Sequence, residues 1–315
     1  MLDLQQTKRT VTLTLNPSVD KSATVHQVLA EHKLRCNLPK FEPGGGGINV
    51  ARAINKLGGN AKALYLAGGF TGQLLKDLLN QEGLDQHPIP VESWTRENLI
   101  VFEKVSQQQY RFGMPGPTIK PEEWQTCLDQ LKSNSADYWV ISGSLPPGVP
   151  EDVFDQLSSL AKEMNSRLIV DTSGSAFQQA LKAGVYLCKP NLRELSAWVD
   201  QPIKNELNLE DIVKEIIAQG LSEIVVVSLG AGGALCASAE QTIRLNAPTV
   251  PIQSKVGAGD SMVGGLVLGL ACDLSLQAAA QLGVAAGSGA VMTSGSELCR
   301  AEDVETLYPQ VVVST

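Results

Sequence analysis

LIVDTSGSAFQQALKAGVYLCKPNLREL, residues 168–195, reads as strand, helix, strand and the opening of a second helix. Leu168 to Val170 and Val185 to Cys188 are short aliphatic runs, and the residues between them have the apolar spacing of an amphipathic helix. Each run ends in a polar cluster, DTSG after the first and KPNLRE after the second. The same unit recurs outward in both directions, with strands at Val11 to Leu15, Ala63 to Leu66, Tyr138 to Ile141 and Glu223 to Val227. Alternation at this spacing predicts an α/β chain built on a doubly wound, mostly parallel sheet with helices on both faces. Ligands in such sheets collect where strands end and helices begin. The unusual clusters SGSLPPG, DTSG, KPNLRE and SLGAGG all stand at such points.

Two stretches break the alternation, about 20–41 and 95–114. Within the second, Ile100 to Val105 and Gln109 to Phe112 flank a polar turn and read as a hairpin. Together the two form a small β layer projecting from one domain over 1–315, with long surface loops as the alternative. No internal repeat or low-complexity linker divides the chain.

Of the 315 residues 43% are hydrophobic, the normal balance of a globular chain, and the formal net charge is −8. That charge argues against nucleic acid or an anionic membrane as a partner, because either would repel the surface. No apolar leader and no membrane span is read, so a cytoplasmic protein is expected. Six scattered cysteines without a C-x-x-C pair suggest reduced thiols. Three isolated histidines leave little material for a histidine triad or metal site, so the chemistry rests on carboxylates, amides and bases.

Both the Walker glycine loop and the dinucleotide fingerprint are incomplete here. VGAGDSMVGGLVLGLA, residues 256–271, instead reads as a turn entering an apolar helix, with Asp260 near the helix start. Small residues at a helix N-terminus aim backbone N–H groups at one anion. A carboxylate there is either a general base beside a transferring phosphoryl group or an N-cap. The run EPGGGGINVARAINKLGG, from Glu42, also opens a helix, and four successive glycines suggest close approach to a ligand or a hinge. In KPNLRE, Lys189 can face phosphates, while Asn191 and Glu194 either organise a hydrated Mg2+ or make a capping box. Lys33, Arg35, Arg96 and Arg111 lie in or beside the irregular stretches, where collectively they could hold a phosphorylated sugar.

GGGGINVARAINKLGG, SGSLPPG, KPNLRE, VVVSLGAGG and VGAGDSMVGG, in this order and spacing, resemble the ribokinase-like (PfkB) carbohydrate kinases over essentially the whole chain from Val11. The resemblance implies a ribokinase-like domain with a small β-sheet lid that covers the sugar and joins a homodimer. It assigns Asp260 as catalytic base and Gly257, Ala258 and Gly259 as the anion hole. Mg2+ would be organised through water by Asn191 and Glu194. Lys189, Asn191, Arg193, Ser228, Gly230, Val284 and Ser288 would line the ATP site, and Asp20, Gly45, Gly46 and Asn49 would bind sugar hydroxyls. Lys33, Arg96, Arg111 and Ser144 stand where phosphofructokinases of the family carry phosphate-binding residues.

Gly46 replaces the lysine of the G-K-G-I-N-V-A pattern typical of 1-phosphofructokinases and tagatose-6-phosphate kinases. The resemblance is therefore to the minor-type 6-phosphofructokinases, which implies Mg-ATP-dependent phosphorylation of fructose 6-phosphate at its C1 hydroxyl. The alternatives are a kinase for fructose 1-phosphate or tagatose 6-phosphate, and a non-catalytic sugar-phosphate or nucleotide sensor. Lys255 departs from the usual threonine before VGAGD, at a place bearing on the K+ site of some members.

Overall fold

The computed structural model describes residues 7–200, 203, 206–295 and 297–314. In chain order the strands are β1 (Thr10–Thr14), β2 (Ser18–Val25), β3 (Lys40–Gly44), β4 (Ala61–Ala67), β5 (Gln86–Pro90), β6 (Arg96–Glu103), β7 (Gln109–Phe112), β8 (Tyr138–Ser142), β9 (Arg167–Asp171), β10 (Val185–Cys188), β11 (Ser222–Ser228), β12 (Ala234–Ala237), β13 (Thr242–Asn246) and β14 (Val312–Ser314). The helices are α1 (Gly46–Lys56), α2 (Gly69–Gln81), α3 (Pro121–Ser133), α4 (Val153–Glu163), α5 (Ser175–Ala183), α6 (Leu192–Trp198), α7 (Glu206–Ala218), α8 (Ala258–Ala271), α9 (Leu276–Val291) and α10 (Ala301–Leu307).

The main sheet runs β14-β13-β12-β11-β10-β9-β8-β1-β4-β5, parallel from β11 to β5 and antiparallel at the β12 to β14 edge. Alternating strand residues feed two cores, the signature of a sheet covered on both faces. Tyr138 and Val140 point to the side of α1, α2, α8, α9 and α10, while Trp139 and Ile141 point to the side of α3, α4, α5 and α7. Each strand read from the sequence is present. The β5 edge was not read because Pro88 and Pro90 interrupt it, and an edge strand tolerates prolines that a central one would not.

The two irregular stretches do come together, as a separate sheet ordered β3-β2-β6-β7. Its hairpin, β6 and β7, pairs Ile100 with Arg111 and Val101 with Tyr110. The strands reach a little beyond the expected bounds, to Ser18 and Gly44, while most of the stretch between β2 and β3 stays irregular. None of the described helices is long and apolar enough to cross a membrane. Four of the six cysteines are buried, Cys272 is partly covered, Cys36 is exposed, and all are free thiols.

Candidate active site

Sheet geometry gathers the loops after β1, β8, β9, β10 and β11 at one edge, with the N-termini of α1 and α8 between them. Gly257, at φ 73°, is the N-cap of α8, and a Cβ there would stand 2.4 Å from Leu298 Cδ2. Only glycine fits this left-handed position. The first bond of the helix ladder is Ser261 N–H to Gly257 O at 2.8 Å, leaving the amides of Ala258, Gly259 and Asp260 without backbone partners. The unpartnered amides thus reach one residue beyond the three positions read from the motif, to Asp260 itself. Asp260 is the third helical residue and not the N-cap.

The residue keeps some solvent contact, but its carboxyl group is desolvated. Burial, then the charge of Asp171, push its pKa up to about 6, against the opposing effects of Asn49, Lys189 and Arg52. Asn49 Nδ2 donates to Asp260 Oδ2 at 2.9 Å. Lys189, 6% exposed, places Nζ 3.1 Å from Asp171 Oδ1 and 3.6 Å from where a Gly259 Cβ would stand. Burial works against this ammonium, yet Asp171, helped by Asp260 and Glu194, leaves its pKa raised.

Asp171 escaped the sequence reading, although DTSG was noticed. A carboxylate ending a strand beside another strand-end cluster was the signal that could have found it.

Asn191 N-caps α6 by accepting from Glu194 N at 2.9 Å, and Glu194 Oε2 accepts from Asn191 N at 2.9 Å. The capping box is therefore real, and it leaves Glu194 Oε1 for other work. Burial and Asp171 raise the Glu194 pKa against the backbone bond from Asn191. Asp171, Glu194 and Asp260 crowd negative charge around a single buried lysine. No three acidic, histidine or cysteine side chains among the described residues are placed to hold a metal ion directly, so a Mg2+ beside Asn191 and Glu194 would be held through its own water shell, which suits its oxygen preference. Ser228 lies beside Asn191 in an isolated parallel bridge, with Gly230, at φ 60°, opening the next turn.

Other assignments fare differently. Val284 and Ser288 are 4% and 8% exposed in α9, with Val284 inside the core, so as placed neither offers surface to a nucleotide. Arg193 is exposed on α6. Asp20 accepts from Ser18 and Asn98, at 2.7 and 2.8 Å, on a lid face shared with Arg96 and, through the Ile100 pairing, Arg111. Arg111 is exposed, and its Nε donates to Gln109. Arg96 and Ser144 meet through Asn16, which accepts from Arg96 Nη2 at its carbonyl and donates from Nδ2 to Ser144 Oγ, both at 3.0 Å. Arg96 also donates to the carbonyls of Pro17 and Met114, so as placed its fork braces the lid root. Lys33 is exposed on the irregular stretch between β2 and β3.

The glycine run packs closely against the protein. A Cβ on Gly46 would meet Ser142 Oγ at 2.3 Å and Gly143 N at 2.7 Å, and one on Gly47 would meet Leu13 O at 2.7 Å. The close approach that these glycines permit is to the protein's own strand ends. A lysine at position 46 would have to displace the Ser142–Gly143 backbone.

Across residues 13–303 the sequence matches the pfkB family of carbohydrate kinases. The chain belongs to that family. This carbohydrate kinase is 46% identical over 302 residues to ATP-dependent 6-phosphofructokinase isozyme 2 of Escherichia coli strain K12, covering 95% of this chain and 98% of the relative. It is 34% identical over 304 residues to the 1-phosphofructokinase of Bacillus subtilis strain 168, with 96% and 98% coverage. The crystal structure of Escherichia coli phosphofructokinase-2 in complex with fructose-6-phosphate superposes on the kinase with a TM-score of 0.92, at 44% identity and with 96% and 99% coverage.

Proposed function

We propose that the chain is an ATP-dependent 6-phosphofructokinase that transfers the γ-phosphoryl group of ATP to the C1 hydroxyl of fructose 6-phosphate. The observation that carries this reading is the desolvated Asp260 carboxylate at the mouth of unpartnered amides, beside a buried Lys189. Asp260 Oδ1 accepts no hydrogen bond from the described residues and is the atom to take the hydroxyl proton, while Oδ2 stays on Asn49. The amides of the α8 first turn and the Lys189 ammonium stabilise charge spreading over the transferring group. Asp171, Glu194 and Asn191 would hold Mg2+ through water, and the bound ion would neutralise the ATP phosphates. Asp20, Asn49, Arg96, Arg111 and Ser144 orient the acceptor, with Arg96 turning its fork from carbonyls to the sugar phosphate. Closure of the lid then excludes water from the transfer.

Gly46 favours fructose 6-phosphate as acceptor, because a lysine suited to the alternative substrates has no room against Ser142 and Gly143. The 1-phosphofructokinase relatives keep fructose 1-phosphate and tagatose 6-phosphate as the second reading. The lid also carries exposed Leu29, Leu34, Leu38, Phe41, Phe112 and Met114, an apolar surface that supports a homodimer formed through it. Free thiols and the absence of a membrane-length helix among the described residues are consistent with a cytoplasmic enzyme.

A coupled ADP-release assay with Mg-ATP tests the reading against fructose 6-phosphate, fructose 1-phosphate, tagatose 6-phosphate and fructose. The expected result is the highest kcat/KM with fructose 6-phosphate. Preference for fructose 1-phosphate would transfer the assignment to the second reading, and no turnover with any acceptor would make the protein a sensor. Repeating the assay with K+ replaced by Na+ decides whether Lys255 has displaced a monovalent-cation requirement.

A further inference from the structure

Asn49 has an amide whose two ends differ chemically, and the structure holds both. Its Oδ1 accepts from Arg52 Nη1 at 3.1 Å, while its Nδ2 donates to Asp260 Oδ2 at 2.9 Å. Arginine has only donors, so an amide facing it must present oxygen and turn its NH2 group the other way. Arg52 and Asn49 are three residues apart on α1, on one helix face. Arg52 is itself fixed. Its side chain is 3% exposed, and it pairs with Glu82 at the C-cap of α2 through Nε to Oε2 and Nη2 to Oε1, both at 2.7 Å. This parallel fork is the rigid arginine–carboxylate geometry. It leaves Nη1 for Asn49 and for the lid-root carbonyl of Pro43, at 3.4 Å.

We propose that Glu82 and Arg52 are positioning residues that lock the Asn49 amide, so that it always donates toward the Asp260 carboxylate and offers its second N–H to the acceptor hydroxyl. The inference rests on the reading of Asp260 as the base. A donor to a carboxylate favours its ionised form, so the lock keeps the base ready despite burial. The other charges that act on Asp260 are Asp171, at the end of β9, and Lys189, after β10, with Arg52 adding a favourable field from α1. Glu194, on α6, acts on Lys189.

The test is the pH profile of kcat, at saturating substrates and Mg2+, for Arg52→Lys and Glu82→Gln. Arg52→Lys conserves charge but loses the fork, and its acidic midpoint should move upward by about one pH unit. Glu82→Gln separates geometry from field. Removing a negative charge would by itself lower the Asp260 pKa, whereas loosening the lock raises it. Upward shifts in both variants, with kcat recovering above the new midpoint, support the proposal. A uniformly lower kcat with an unmoved midpoint, or a downward shift in Glu82→Gln, would overturn it.

Where a variant does not fold, the intact enzyme with 15N-asparagine provides the readout, its Asn49 NH2 signal assigned by loss in Asn49→Ala. In the ligand-free enzyme that signal should titrate with the midpoint of kcat/KM. Indifference to pH across this range would overturn the lock. Near-normal turnover in Asp260→Asn would instead remove the base assignment, a failure that the amide titration does not share.

Discussion

At the scale of a residue, the cost and the use of Asp260 have the same source. Desolvation and Asp171 hold its carboxyl at about 6, compared with an ordinary 3.8. A base must be ionised to accept a proton, so kcat/KM, which reports the free enzyme, should fall as pH drops through about 6, approaching tenfold per unit below it. Asp260→Asn should lower kcat by about 10²- to 10⁴-fold with little change in KM. The folded-state pKa lies above the unfolded one, so the unfolded chain releases this proton more readily. Folding therefore carries a penalty that is full above the folded pKa and absent below the unfolded one. Thermal unfolding should reflect this, with Asp260→Asn melting a few degrees above wild type at pH 8 and showing no such gain near pH 4. A lower melting point at pH 8 would show that the carboxylate is a net stabiliser. That a helix opens at VGAGD with Asp260 near its start was legible from the sequence alone. Asp171 was not, because what distinguishes it is the approach of Lys189 from the next strand, 18 positions on in the sequence.

At the scale of an element, the start of α6 and the glycine run at α1 each combine a structural and a functional demand. Glu194 closes the capping box with Asn191, and glutamine can replace glutamate at that position of the motif. Glu194→Gln should therefore leave the unfolding midpoint near wild type while raising the Mg2+ concentration for half-maximal rate by about tenfold or more. Equal losses in both would assign Glu194 to the helix alone. Gly46 is packed against Ser142 and Gly143, and Gly46→Ala should lower urea stability by about 1–3 kcal/mol through overpacking. The sequence showed that four glycines exceed the needs of a turn. It could not show what approaches them, since the neighbours are the ends of β1 and β8, one of them about a hundred residues away.

At the scale of the whole molecule, the proposed closure of the site and association of two copies both fall to the lid. Leu38, 89% exposed, lies on the lid among other large apolar side chains open to solvent. If this surface joins two copies, light scattering should give twice the 33.5 kDa chain mass, and Leu38→Asp should shift the protein toward monomer without altering its circular dichroism. A wild-type monomer would reject the lid dimer. By itself the sequence determined the doubly wound sheet, the two lid stretches, the Asp260 helix start and the family, because strand and helix periods and glycine-rich turns are local patterns carried by consecutive residues. Only the tertiary structure decided that Arg96 braces the lid root, that Val284 belongs to the core, that Asp171 faces Lys189 and that Glu82 reaches Asp260 through Arg52 and Asn49. Those facts depend on which strand ends and helix faces meet across the sheet, and a charge far along the chain acts on another only once the fold has brought the two within hydrogen-bond reach and excluded the water between them.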